Sequence, residues 1–402
     1  MAKTPPVGDW TTDYDIFDEG YVRDPVPMWR EMRGKCPIAH TERWGSSWLP
    51  TRYEDVQAFA KMVPDLSSTD PIVVPRLDVD PEEDEYGTKA PPITSDPPGQ
   101  IDERRLILPF FTPKAVAAHR PFTEALCHEL IDGFIADGGG DMAVRYAQQI
   151  PSRVIIHMLG IDPNRADEFV QWVRNVLELG MSDPDLRLKY RRVIRVFFGE
   201  MVAERRKNPG DDLISQLLAK ELNGEPITDV QAVGICNLLL VAGIDTTWSS
   251  IGASLWHFAT HPEDRRRLAG EPELFGTAIE ELLRFYSPVT MARVCSHDID
   301  YADVQMKEGD KVLMNFPGAN HDPEMFEDPD KVKLDRERNR HIAFGVGVHR
   351  CAGSNLARME MDIALRTWFE RIPEFELSDP DAVTWAGGQV RGPRSLPFRW
   401  PT

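Results

Sequence analysis

The sequence has little cysteine and no cysteine pattern. Cys36, Cys127, Cys236, Cys295 and Cys351 are widely spaced, odd in number and form no CxxC pair. A disulfide framework and a structural zinc site are therefore not expected, and a reducing cytoplasm fits. Positive charge is also short: 46 Lys and Arg against 65 Asp and Glu leave a formal charge of −19. So acidic a chain repels phosphate backbones, and nucleic acid is not an expected partner. The N-terminal MAKTPPVGDWTTDY lacks the apolar core of a signal peptide, and the longest apolar run, near ICNLLLVAG, is too short to span a bilayer. A soluble, cytoplasmic monomer with no membrane anchor is expected. Gly/Ser-rich linkers, internal repeats and low-complexity segments are missing as well. Although 402 residues would admit two or three domains, the reading is one domain over 1–402.

What is present is mainly helical. PIAHTERWGSSWLPTRYEDVQAFA reads as two short strands and a helix, and 64–98, dense in Pro, Asp and Glu, as a long irregular loop of the kind that forms lids. SDPPGQIDERRLILPFFTPKAV opens a helix. RPFTEALCHELIDGFIADG is amphipathic with a glycine stop, and NRADEFVQWVRNVLELG follows Pro163 with Asn164 as its expected cap. DPDLRLKYRRVIRVFFGEMVAERRKNPGDD is a long helix with a basic face. TDVQAVGICNLLLVAGIDTTWSSIGASLWHFATHPED is apolar nearly all round, so it should run through the middle of the protein. Beyond residue 296, strand-like pieces flank a KEGD turn, an irregular charged stretch follows, and SNLARMEMDIALRTWFERI is helical again. The expected fold class is mainly α with small sheets near both ends.

The chemistry concentrates in FGVGVHRCAG at 344–353. Its single thiol, Cys351, stands just before a helix N-terminus, where unpaired N–H groups and the helix dipole favour a thiolate. Gly345, Gly347 and Gly353 let the backbone bend and approach a flat group closely. An anionic sulfur presented to a planar partner suggests an axial haem ligand; the alternative is a buried structural cysteine in a glycine-rich turn. The string resembles the haem-binding loop of the cytochrome P-450 family at every fixed position of that loop. The resemblance implies a single large triangular P-450 fold, haem b, and Cys351 as proximal iron ligand. It also implies that Phe344 shields the sulfur and that His349 bonds a haem propionate.

Other segments agree. EELLRF holds Glu281 and Arg284, three residues apart and about seventy before Cys351. On their own they are an ordinary i,i+3 pair; by resemblance they are a buried structural pair tying this helix to the segment before the Cys loop. VAGIDTTWSS puts Asp245, Thr246 and Gly243 inside the apolar helix, where such residues cost stability. The bland account is a kink satisfied by Thr back-bonding. By resemblance this is the oxygen-activation motif: Thr246 acts beside dioxygen, Asp245 relays protons from solvent, and Ala242 with Gly243 leaves room for dioxygen at a local widening. Propionates are implied to meet Arg104, Arg293 and His349, with Gln100 where most bacterial members have His. One of Arg104 and Arg105 should face solvent.

The resemblance implies a monooxygenase that hydroxylates or O-dealkylates a small to medium apolar molecule. No flavin or iron–sulfur sequence is attached, so electrons are expected from a ferredoxin or flavodoxin with its reductase. That partner would dock where Arg104 or Arg105, Arg340, Arg350 and Arg358 supply positive charge, unless those arginines serve haem and loop packing. The implied pocket is lined by Leu238, Val241, Ala242, Val289, Thr290 and Val390, and roofed by DPIVVPRLDV and by Trp172, Leu177 and Met181. A haem-thiolate sensor or electron carrier is the alternative, although neither needs Asp245 and Thr246.

Overall fold

The computed structural model describes residues 5–77 and 89–402. Its axis is the helix Asp229–Thr260. Thr228 starts it with a capping box: its hydroxyl accepts from the Gln231 amide, and the Gln231 side chain accepts from the Thr228 amide at 2.9 Å. Pro262, just beyond His261, opens the next helix. As its composition dictates, this helix is buried along most of its length. It packs against helices Gln149–Met158, Ala166–Leu177, Pro184–Lys207 and Ser354–Arg371. Among the described residues it is the one helix long and apolar enough to cross a membrane, and here it is the core.

At Gly243 the central helix lies tight against Gln149–Met158. A Cβ there would lie 2.9 Å from Ile155 Cγ1 on the neighbouring helix. The glycine therefore lets two helices touch on one side, while it also lines a cavity beside Cys351. The helix also runs as regular α through Asp245 and Thr246, with no local widening.

The strands expected near both ends of the chain meet in one sheet. Ile38–Thr41 pairs antiparallel with Ser47–Pro50, in the register Ile38 to Pro50. Ser47 and Trp48 lie parallel to Lys311 and Val312. Lys311–Met314 is antiparallel to Met291–Cys295, which in turn pairs with Leu66–Ser67. A second sheet joins Gly139–Asp141 to Pro397–Arg399 and Glu376–Leu377. The KEGD turn lies between Val304–Met306 and Lys311–Met314, as the sequence reading had it. The expected cap at Asn164 is displaced. Asp162 accepts from the Asn164 amide and begins a short 3-10 turn, and the α-helix starts only at Ala166.

The irregular stretch 320–342 is held by one buried pair. Glu281 and Arg284 are both fully buried and bonded through two 2.8 Å contacts. Arg284 donates onward to the carbonyls of Asn320, Pro329 and Lys331. Glu281 also accepts from the Lys333 amide, Arg336 Nε and Asn339 Nδ2. Burial pushes the Glu281 carboxyl up, but bonds from Arg284 and Arg336 outweigh it and hold it below its usual value. Such a depressed carboxyl stabilises the fold above its ordinary pKa, and that contribution is lost as pH falls through the lowered one. Glu281→Gln should therefore cost about 3 kcal/mol near neutral pH, leaving buried cations uncompensated. Urea unfolding should show this loss shrinking as the pH is lowered into the acid range.

Candidate active site

The Cys loop closes on itself before the helix Ser354–Arg371 begins. The Cys351 amide donates to the Phe344 carbonyl at 2.8 Å. Gly345 and Gly347 have φ of +68° and +74°, a region that disfavours other residues. Gly353 has an ordinary φ of −82°, so it is not needed for the bend. Its open Cα instead faces the sulfur: a Cβ there would lie 3.9 Å from Cys351 Sγ. Arg358 stacks on the Phe344 ring at 4.5 Å and makes a two-point bond to Glu280 at 2.6 and 2.8 Å.

Between this loop and the central helix lies a cavity of about 250 Å³. Phe344, Gly345, His349, Cys351 and Gly353 line it from the loop, and Leu238, Ala242, Gly243 and Thr246 from the helix. Cys351 is exposed and lines this cavity. Burial pushes the thiol up more than the Gly353 amide and the cations Arg104, Arg350 and Arg358 bring it down. Burial thus works against the helix N-terminus and the nearby cations at this sulfur. A bound metal ion would be needed to take the proton's place.

Cationic groups stand at the cavity edge. Arg293 is buried on the wall, donates to its neighbour Ala292's carbonyl, and leaves its Nε with no partner. Burial lowers it to about 10, so it keeps its charge near neutral pH. Arg104 lines the cavity and donates to the Arg350 carbonyl. His349 is lowered to about 4 by burial and by Arg293, and its Nε2 lies 2.9 Å from Ser68 Oγ. Gln100 departs from expectation. Its amide donates to the Val348 carbonyl at 2.9 Å, its Oε1 is buried without a partner, and it does not line the cavity. It anchors the loop from behind. Arg105 is the member of its pair that faces solvent, bonded to Asp102. One thiol, apolar walls, and two guanidiniums with an orphaned buried donor make a donor set that fits haem b, whose ring is flat and whose edge carries two carboxylates.

A larger cavity of about 1040 Å³ shares Leu238, Ala242, Thr246 and Val289 with the first. Val241, Val390, Leu177 and Met181 line it as expected. Thr290 and Trp172 do not. The Thr290 amide is spent on the Gln389 carbonyl, and the Trp172 ring packs edge-on against Phe169 and Phe197. Of the DPIVVPRLDV loop, 70–72 and 75–77 line the cavity; Asp78 and Val79 lie outside the described residues. Lys311 pins this loop through Asp70 at 2.8 Å and the carbonyls of Ile72 and Val74.

Thr246 does back-bond, its hydroxyl donating to the Ala242 carbonyl at 3.0 Å. Asp245 is buried and bound to Arg394 at 2.7 Å. Arg394 also donates to Glu178 at 2.8 Å and Ser249 at 3.1 Å, and stacks on Trp248. Burial raises the Asp245 carboxyl despite Arg394, whereas Glu178, shared between Arg174 and Arg394, is held below its usual value against burial. The sequence reading missed this network. Asp245 and Arg394 are 149 residues apart and no local pattern joins them.

Comparison with known proteins gives one consistent family. Residues 185–383 match the family model for Cytochrome P450. Cytochrome P450 107B1 of Saccharopolyspora erythraea is 32% identical over 96% of this chain and 98% of its own. Mycinamicin IV hydroxylase/epoxidase of Micromonospora griseorubida is 32% identical over 88% of this chain and 89% of its own. The solved structure of the Bacillus subtilis bacillaene polyketide synthase cytochrome P450 PksS superposes with a TM-score of 0.86 at 30% identity, covering 97% of this chain and 100% of the other. The loop that presents Cys351, the fold that positions it and these relatives lead to one conclusion: the chain belongs to the cytochrome P450 family and is a monooxygenase that binds haem b.

Proposed function

We propose that the enzyme hydroxylates, or beside an ether oxygen dealkylates, a small to medium organic molecule with a mainly apolar body. A separate ferredoxin or flavodoxin with its reductase supplies the electrons. One observation carries this reading: Cys351 and Thr246 line the same cavity, and that cavity meets a larger one with an apolar wall. When bound with Cys351 as its thiolate ligand, haem b supplies reductive activation of dioxygen and transfer of one oxygen atom to carbon. Arg104, Arg293 and His349 would hold its two carboxylates, which gives the orphaned Arg293 donor a partner. Gly345 and Gly353 keep the loop close beneath, Ala242 and Gly243 form the opposite wall, and Glu281 with Arg284 keeps the loop in place.

The chain's other task is to deliver protons. Thr246 can turn its hydroxyl from the Ala242 carbonyl towards the cavity. Asp245, the next residue, has a carboxyl raised by burial, so it can hold a proton inside the protein. Its bond to Arg394 fixes where that carboxyl waits, and Glu178 on the same guanidinium stays ionised and keeps Arg394 balanced. A sensor or electron carrier has no use for this acid and alcohol, nor for a substrate cavity of about 1040 Å³.

For the redox partner, Arg105, Arg340 and Arg350 are exposed. Arg358 is not available, because it is bound to Glu280. We read these three as the positive ground on which an acidic electron donor docks, and the protein as cytoplasmic on its cysteine usage.

The reduced protein under carbon monoxide should give the far-red-shifted Soret band of thiolate-ligated haem, and Cys351→His should abolish it. A histidine-type band in the wild type would remove Cys351 as ligand. Thr246→Ala should keep haem and substrate binding but divert reducing equivalents into hydrogen peroxide, measured as peroxide formed per nicotinamide oxidised. Asp245→Asn should slow turnover by on the order of 10²-fold; a normal rate would mean another proton route. Reduction by an acidic ferredoxin should weaken as salt rises, and a salt-independent rate would sink the docking surface.

A further inference from the structure

The larger cavity has one wall that a hydrocarbon would not need. Arg187, Arg191 and Arg195 stand four residues apart on the helix Pro184–Lys207, and all three line it. That spacing sets them on one helix face. None of them lines the haem cavity, so the positive wall is set apart from the junction at Ala242 and Thr246.

Arg191 and Arg195 already have partners, Arg195 donating among others to the Lys89 carbonyl at 2.9 Å. Arg187 differs. It is only 4% exposed and spends Nη2 on the Pro75 carbonyl at 2.9 Å, while its Nε and Nη1 have no hydrogen-bond partner. A buried guanidinium with two empty donors is costly unless something in the cavity fills them. Among the described residues, the carboxylates on this cavity do not. Asp70 is on the same wall but bound to Lys311 at 2.8 Å, and Glu103, also on the wall, has a buried oxygen that is itself unpartnered. Arg187 is also held in place. A Cβ on Gly180 would come within 2.9 Å of its Cα, and its Pro75 bond ties it to the loop that Lys311 pins. A cation so fixed is suited to a planar anion of matching geometry.

We infer that the substrate is an apolar acid, whose carboxylate is bound by Arg187 while its apolar body lies along Val241 and Val390 towards Thr246. This deepens the proposed function and rests on it. It refines the substrate expected from the sequence, a small to medium apolar molecule, to one with a charged end. The oxidised carbon would then be remote from the carboxylate, since Arg187 stands off the haem cavity.

The test uses the ferric, haem-loaded protein and three matched pairs: dodecanoic, abietic and 4-isopropylbenzoic acids, each with its methyl ester. Kd values from calorimetry near neutral pH should show at least one acid binding about tenfold or more tighter than its ester. Arg187→Gln should remove that advantage and leave the ester's Kd unchanged, and Arg187→Lys should keep part of it. No acid outbinding its ester in the wild type overturns the inference, whether or not the variants fold. So does an advantage that persists undiminished in Arg187→Gln. Product analysis with a ferredoxin and its reductase is a separate readout. An acid that binds through Arg187 yet is never oxidised refutes the monooxygenase role for that ligand, while the carboxylate site stands.

Discussion

The rest of the molecule depends on a carboxylate from which water is excluded. Glu281 takes hydrogen bonds from Arg284, Arg336, Asn339 and the Lys333 amide, all at 3.2 Å or less. The segment it clamps has almost no regular secondary structure, so its backbone groups cannot satisfy one another. Arg284 does that work for the carbonyls of Asn320, Pro329 and Lys331. Asn320 then receives the Ile342 amide on its side chain at 2.8 Å, two residues before Phe344. A chain of buried polar contacts thus leads from the Glu–Arg helix to the start of the Cys loop. The loop's position is set by charge pairing in a dry interior, where geometry is enforced because every unmade bond is expensive.

The two faces of the active site are built by different means. On the loop side, positive-φ glycines and backbone bonds shape a cradle, and the cations stand at its edge. On the helix side, a single regular α-helix supplies acid, alcohol and apolar wall at once. Gly243 brings that helix against Ile155, and Arg394 reaches in from the strand Gly392–Ser395 to hold Asp245. The acid and its counter-charge come from distant parts of the chain, so the proton machinery is assembled only by the tertiary fold.

Much of this was legible in the sequence because it is local. The ten residues from Phe344 to Gly353, the Glu281–Arg284 spacing and the Asp245–Thr246 pair are contiguous or one helical turn apart. The long apolar helix announces itself by lacking a polar face. The failures are tertiary. Gln100 stands where a haem contact is expected, but it does not line the cavity and its amide meets the Val348 carbonyl. Thr290 was assigned to the pocket, yet its backbone is held by Gln389. Gly243 lines the cavity as its position in the motif implies, but its close packing on Ile155 has no local signal. The basic face of Pro184–Lys207 was visible, but only the fold shows that it borders a cavity.

The five-stranded sheet has a consequence for how the chain is made. Its parallel pair joins Ser47 and Trp48 to Lys311 and Val312, and its edge joins Leu66 to Cys295. The hairpin Ile38–Pro50 therefore leaves the ribosome long before the strand it must lie against. Until then it carries an open edge in a nascent chain, and closing the sheet pays the loop entropy of more than half the protein. Lys311 pins the cavity loop from that same late strand. The substrate side of the enzyme thus acquires its shape late in synthesis, after the long central helix that it will cover.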